Sequence, residues 1–312
     1  MLTEAWRTTS RVAWTLLTAG LVALLTTAGC ASEPASFDGE RAMAHVEALC
    51  DLGPRPVGSP GNEAAAAYIQ AHLEEHGWDV ELQEFAHRGL PVRNVIGRKG
   101  EGPVILLGTH FDTRPLADLD PEDRSRPVPG ANDGGSGTAV LLELARVLGE
   151  DVTGQATIEL AFFDGEDRTG LGGWSCCVGS YHAAAELSER PAYVVVVDMV
   201  GDATQELYFE WSSTLWLQER IWRLADSMGY GHYFVAEHRH AIVDDHTPFL
   251  QQGIPAALII DFDYIYWHTT HDTPDKLSAA SLQRVGNVLE TLLKGEPLVD
   301  GPMWNSGQTE GP

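Results

Sequence analysis

The order of elements along the chain predicts an α/β fold, a three-layer sandwich with a mixed, mostly parallel central sheet and helices on both faces. Three observations carry this expectation. Short, wholly apolar runs at 104–108, 194–197 and 256–260 read as strands covered on both faces. Amphipathic stretches at helical spacing lie between such runs. Through the second half of the chain strands alternate with helices, the pattern that crossover-connected parallel strands leave in a sequence.

The first residues are set aside before the fold is read. Arg7 and Arg11 give a positive start, and the mostly apolar run 12–25 is short for a membrane span. Thr27-Ala28-Gly29-Cys30 follows, and small residues ahead of a lone Cys resemble the lipobox of bacterial lipoproteins. That resemblance implies a lipoprotein signal peptide over 1–29, export, a lipid anchor at Cys30 on the periplasmic or cell-surface side of a bacterial membrane, and a tether over 30–37. Helices are expected at 38–49 and 62–76, separated by a Gly/Pro-rich turn, and a hairpin at 80–85 and 92–97. The buried strand at 104–108 leads into a long polar segment, 109–132, of a length uncommon in compact domains unless it has a role, and within it 114–126 reads as a solvated loop. A helix is expected at 136–148, strands at 157–163 and 194–197, helices at 215–228 and 245–252, and a strand at 256–260. Ser278 caps a last helix to about Lys294. One catalytic domain thus spans 38–298, and 299–312 reads as a disordered tail. No repeat or linker divides the domain.

The formal net charge of −25 argues against nucleic acid and anionic lipid surfaces as partners. Apart from Cys30 the chain has Cys50, Cys176 and Cys177, an odd number that admits one bridge and no disulfide framework. Adjacent Cys176 and Cys177 lack the C-x-x-C spacing of a structural zinc site.

In open α/β sheets, sites form beyond the carboxyl ends of strands. Each apolar strand here is followed by metal-type residues: His110 and Asp112 after the first, Glu166 and Asp167 after 157–163, Asp198 after 194–197, and Trp267-His268 beyond 256–260. Asp133 stands just ahead of the helix at 136–148. A lone Asp in such a place is usually a cap or turn former, and a lone His a hydrogen-bonded structural residue. Five such placements at one end of one sheet point instead to a metal. Carboxylates with imidazole and no thiolate suit catalytic zinc, which keeps an open coordination position.

The segments that carry this chemistry are Gly-Thr-His-Phe-Asp-Thr-Arg-Pro at 108–115, Ala-Asn-Asp-Gly-Gly-Ser at 131–136 and Phe-Phe-Asp-Gly-Glu-Asp at 162–167. Val-Asp-Met-Val-Gly at 197–201, Asp-Asp-His-Thr-Pro-Phe at 244–249 and Trp-His-Thr-Thr-His-Asp at 267–272 continue the series. Together they resemble the zinc aminopeptidase superfamily, and within it the animal-type glutaminyl-peptide cyclotransferases. The marks of that branch are Phe-Phe-Asp-Gly-Glu, the Asp244-Asp245 pair, and Trp267 directly before His268. Asp167 stands where the animal enzymes keep a second Glu, as in bacterial lipoprotein forms of the cyclase.

The resemblance implies one catalytic zinc held by Asp133, Asp167 and His268, with Glu166 as general base and acid. It implies that Asp198 and Asp245 form a hydrogen-bonded carboxylate pair beside the metal, and that Trp174 and Trp267 line the pocket. The implied reaction converts N-terminal glutamine of a peptide or protein to pyroglutamate with release of ammonia, an acyl transfer. The residues also admit a metal-dependent aminopeptidase, in which His110 and Asp198 would hold a second metal with Asp133 bridging. A non-catalytic binding ectodomain is the third reading, disfavoured by the full set of ligands. A monomer is the default expectation. His246 reads as structural, His238 and His240 as surface-loop residues, and Trp211, Trp216 and Trp222 as core.

Overall fold

The structure is a computed structural model, and it describes residues 36–148 and 156–295. The expected signal peptide, the anchor at Cys30, most of the tether and the tail at 299–312 lie outside the described residues. Among the described residues no helix is long and apolar enough to cross a membrane.

Helix α1 (Gly39–Asp51) opens on Asp38, whose carboxylate accepts from the amides of Glu40 and Arg41. Helix α2 (Pro60–Glu75) opens on Ser59, with Pro60 in the first turn, where a missing amide costs nothing. A hairpin follows, β1 (Asp79–His87) and β2 (Leu90–Gly100), then β3 (Val104–His110), α3 (Gly135–Val147) and β4 (Thr157–Phe163). The second half runs α4 (Val178–Ala185), β5 (Tyr193–Asp198), β6 (Leu207–Glu210), α5 (Leu215–Ser227), β7 (Phe234–His240), α6 (Thr247–Gln251), β8 (Ala256–Ile260) and α7 (Ala279–Lys294). Ser278 caps α7 by accepting from the amide of Ala280.

The main sheet has the order β1-β2-β4-β3-β5-β8. The β4–β3, β3–β5 and β5–β8 pairs are parallel, and the hairpin joins antiparallel at one side. Side chains divide at every second residue, as a pleated strand requires. Ile105, Leu107, Val195, Val197, Ala257 and Ile259 enter a core with α1, α2, α3, α5 and α7. Leu106, Val194, Val196, Ala256, Leu258 and Ile260 pack on the opposite face with residues of α4 and α6. Strands β3, β4, β5 and β8 are buried along their whole length, which is why they read as continuous apolar runs. The sandwich is the expected one.

Three elements differ from the sequence reading. Helix α4 is short, and its Gly179-Ser180 pair weakens helix propensity, so no helix is legible there. Strands β6 and β7 form a separate two-stranded parallel sheet. Strand β7 exposes most of its length and alternates poorly, so His238 and His240 lie in a strand rather than the expected loop. Trp222 is core as expected, but Trp211 is 62 % exposed and stacks on His238.

Candidate metal centre

The parallel strands β3, β4, β5 and β8 run the same way, so their carboxyl ends open on one rim. His110 closes β3, Asp198 closes β5, and Glu166 and Asp167 sit in the turn beyond β4. Asp133 lies just before α3, which begins after Gly134 in a left-handed conformation with φ of 78°. A β-carbon at Gly134 would stand 2.5 Å from Asp112 O and 3.1 Å from the His110 ring, so only glycine lets this turn bring Asp133 to the rim.

His268 Nε2 is 3.1 Å from Asp167 Oδ1 and 3.7 Å from Asp133 Oδ2. One ligand atom from each of Asp133, Asp167 and His268 lies within 4.8 Å of the others. A second such group, His110, Asp133 and Asp198, shares Asp133 with the first. His110 Nε2 is 3.1 Å from Asp198 Oδ1 and 3.3 Å from Asp133 Oδ1.

The donor set fits a cation. Asp133 Oδ2 and Asp167 Oδ2 are buried without a hydrogen-bond partner. A buried, unpartnered carboxylate oxygen is costly unless a metal or proton satisfies it. Burial, then the charges of Asp133 and Glu166, push the Asp167 carboxyl well above its usual range. Burial likewise raises Asp198 to about 7, against the pull of His110. Burial pushes His268 down to about 4, leaving a neutral imidazole with a lone pair to give. Two imidazoles and Arg114 do not balance the surrounding acids; a divalent ion would.

The ligands are held through their backbones. Asp112 accepts from the amides of Glu166 at 3.1 Å and Asp167 at 3.2 Å, one on each oxygen. Asp272 does the same for the other loop, accepting from Asn132 at 2.8 Å and Asp133 at 3.1 Å. Arg114 grips Asp118 with two bonds of 2.7 Å and donates to the carbonyl of Asp167 at 3.0 Å. Fully buried Arg55 donates to Phe111, Pro129 and Gly130 carbonyls, and Asp120 accepts from Thr270. Residues 109–114 and 130–132 of the long polar segment are therefore buried against the site, while 121–126 are exposed, as expected of a solvated loop. His268 itself has a φ of 56°, and Met199, just after Asp198, one of 45°. Left-handed backbone in non-glycine residues costs of order 1–3 kcal/mol and clusters at functional sites.

A cavity of about 450 Å³ opens over this rim. Glu166 and Asp244 lie on its polar side, and Ile260, Phe262, Val243 and Trp267 on its apolar side. The Trp267 ring packs on the His268 ring at 3.8 Å between centroids. Burial, then Asp244, Asp245 and Asp198, push the Glu166 carboxyl well above its ordinary range despite the opposing charge of His110. Cys176 and Cys177 form a disulfide beside it, with the Cys176 sulfur 3.6 Å from Glu166 Oε1, and Cys50 is free. With no proton on either sulfur this is a contact and not a hydrogen bond.

Two sequence expectations are corrected. Trp174 does not line the cavity; its Nε1–H donates to Gly165 O and its ring packs with Val57, Val92 and Val178 behind the acid turn. Asp245 does not pair with Asp198. Its Oδ1 accepts from Ser180, its Oδ2 is buried without a partner, and Asp244 takes the cavity wall. His246 is structural as expected, 2.9 Å from Ser212 and 3.3 Å from Glu210. Asp112 and Arg114 were not singled out for these roles by sequence, because what they hold is distant backbone.

Comparison with known proteins agrees with this geometry. Residues 94–293 match peptidase family M28. The chain is 26% identical to the glutaminyl-peptide cyclotransferase-like protein of Bos taurus, over 77% of this chain and 71% of that protein. It is similar to the structure of Porphyromonas gingivalis glutaminyl cyclase, at 32% identity and a TM-score of 0.78, covering 82% of this chain and 98% of that one. A Zn-dependent exopeptidase from Parabacteroides distasonis is also similar, at 30% identity and a TM-score of 0.78, covering 84% and 99%.

Proposed function

This chain belongs to peptidase family M28, and from that premise we propose that it is a zinc-dependent glutaminyl-peptide cyclotransferase. It would convert the N-terminal glutamine of peptides or proteins to pyroglutamate and release ammonia. The observation that carries the reading is Trp267 packed on His268 at the edge of an apolar-walled cavity with Glu166 on its polar side. Such a pocket suits one folded glutamine side chain beside the metal ligands, and the similarity to named glutaminyl cyclases supports it.

Asp133, Asp167 and His268 would hold one zinc ion. Bound there, zinc supplies Lewis-acid polarisation of the side-chain carbonyl. The protein's own residues do the rest. Trp267, Phe262 and Ile260 wall in the glutamine side chain and limit water, bringing its amine against its own amide carbon. As the amine nitrogen bonds to that carbon, Glu166 accepts the amine proton. Glu166 then returns a proton to the amide nitrogen as its bond to carbon breaks, and ammonia leaves. Burial, and then the acids around Glu166, raise its proton affinity, which suits a group that must both take and give. Asp244 and Asp198 hold that field in place, and Asp112 fixes the Glu166 backbone.

A second reading, a metallo-exopeptidase with two ions, rests on the group His110, Asp133 and Asp198. We favour one ion because the similarity to named glutaminyl cyclases supports the cyclase reading, which needs one ion. Purified protein incubated with a glutamine-initiated peptide and, separately, with leucine amide separates the two. Ammonia from the first without amino acid from the second supports the cyclase. Free amino acid from both overturns it, and zinc per chain by elemental analysis tests the ion count.

Export and a lipid anchor at Cys30 complete the proposal, on the pattern of 1–30 alone. Fatty-acid labelling that persists in a Cys30→Ser variant would overturn the anchor. A monomer is proposed and is checked by sedimentation.

A further inference from the structure

Away from the acid-rimmed cavity, a separate group of metal-type side chains stands at the carboxyl end of α2. The run His72-Leu73-Glu74-Glu75-His76 places two imidazoles four residues apart with a carboxylate between them, on one helix face. One ligand atom from each of His72, Glu75 and His76 lies within 4.8 Å of the others. We propose that these three residues form an additional metal site, for zinc or a similar divalent transition ion.

The tautomers are already set for it. His72 Nε2 lies 3.0 Å from the carbonyl of Leu142, and His76 Nδ1 lies 2.9 Å from the carbonyl of His72. A neutral imidazole meets a carbonyl by donating, which leaves His72 Nδ1 and His76 Nε2 with lone pairs. Carbonyls orient metal-ligating histidines in this way. The two rings stand 4.4 Å apart between centroids. Behind them His45, its Nδ1 2.6 Å from the Tyr68 hydroxyl, packs edge-on against His72 at 4.6 Å.

The helix end favours a cation, because the last carbonyls carry the negative pole of the dipole. Two cations stand nearby, one engaged away from the three ligands and one on the backbone of His76 itself. Arg146 is gripped by Glu143 at 2.6 and 2.8 Å, and Lys99 donates to the carbonyl of His76 at 3.0 Å. Zinc–nitrogen bonds of about 2.0–2.1 Å need ligand atoms closer than the present spread. Glu75 is exposed and closes that gap by side-chain rotation, and water takes the fourth position. Two nitrogen donors select zinc, nickel or copper over calcium and magnesium. The site lies ahead of residues 94–293, which match the family.

The test is equilibrium dialysis of the full chain against buffered free zinc, with metal counted per chain. The wild type should hold one ion more than a His72→Gln/His76→Gln variant, with glutamine cyclisation equal in both. Glu75→Gln, an exposed and fold-neutral change, should weaken that ion's binding by about tenfold or more, on the scale of lost metal-site partners. Excess calcium should not displace it. Equal zinc content in the wild type and the double variant overturns the site. Should the double variant misfold, unchanged zinc affinity in Glu75→Gln overturns it alone.

Discussion

Replacing Glu166 with glutamine isolates the proton-transfer step from metal binding. The Glu166 amide is held by Asp112 at 3.1 Å, a bond the substitution does not touch, and the side chain keeps its shape. Glutamine cannot accept the amine proton, and positioned acid–base groups are worth about 10²–10⁴ in rate. The loss is therefore about 3–6 kcal/mol at ~1.4 kcal/mol per decade. It should fall on kcat, read as ammonia release from a glutamine-initiated peptide. Zinc content should stay at the wild-type value, because the ligand group is Asp133, Asp167 and His268. A third readout follows from charge. A carboxyl raised by burial and by Asp244, Asp245 and Asp198 adds stability below its unfolded pKa and loses it as pH rises. The metal-free variant should therefore lose less stability above pH 4.5 than the metal-free wild type. Activity within tenfold of wild type refutes the role of Glu166 in proton transfer. Zinc lost in step with activity would make Glu166 a ligand and refute the separation of base from metal.

Arg114→Met removes the fork that joins Asp118 to the Asp167 carbonyl, and zinc affinity in a chelator competition should fall about 10–100-fold. Asp272→Asn sets a donor against amides that need an acceptor. The melting curve should show a loss of about 1–3 kcal/mol. The chelated protein should lose stability from about pH 6.5 to 8. Burial first raises the carboxyls of Asp261 and Asp272 to about 7 and of Asp164 to about 8, so the folded state holds protons there that the unfolded chain has released. His268, pushed down to about 4, acts in the opposite sense only below that window. Denaturant melts across the range check the sign, and a stability that rises with pH would contradict it.

Much of the site was legible because each ligand follows an apolar strand run and carries its own chemistry. Short continuous apolar runs placed β3, β5 and β8, alternation of elements placed β4 between them, and the rule that sites open beyond strand ends gathered Asp133, Glu166, Asp167, Asp198 and His268. The hairpin and the capped helices were read from Asp38, Ser278 and the Gly/Pro turns. Strand β7 was not, because an exposed strand shows no alternation to detect. Trp174 and Asp245 were assigned by resemblance, and the resemblance did not say which way either side chain turns.

The sequence alone determined the sandwich and the acidic metal site, because buried strands and metal ligands are chemical types that repeat in register with the chain; its resemblance to a known family implied the class of chemistry. Only the tertiary structure decided who holds the ligands. Asp112, Asp272 and Arg114 act on backbone groups up to 140 residues away, and no local pattern records such contacts. It also decided that Asp244, not Asp245, faces the cavity, since neighbours in sequence point apart when the chain turns into α6.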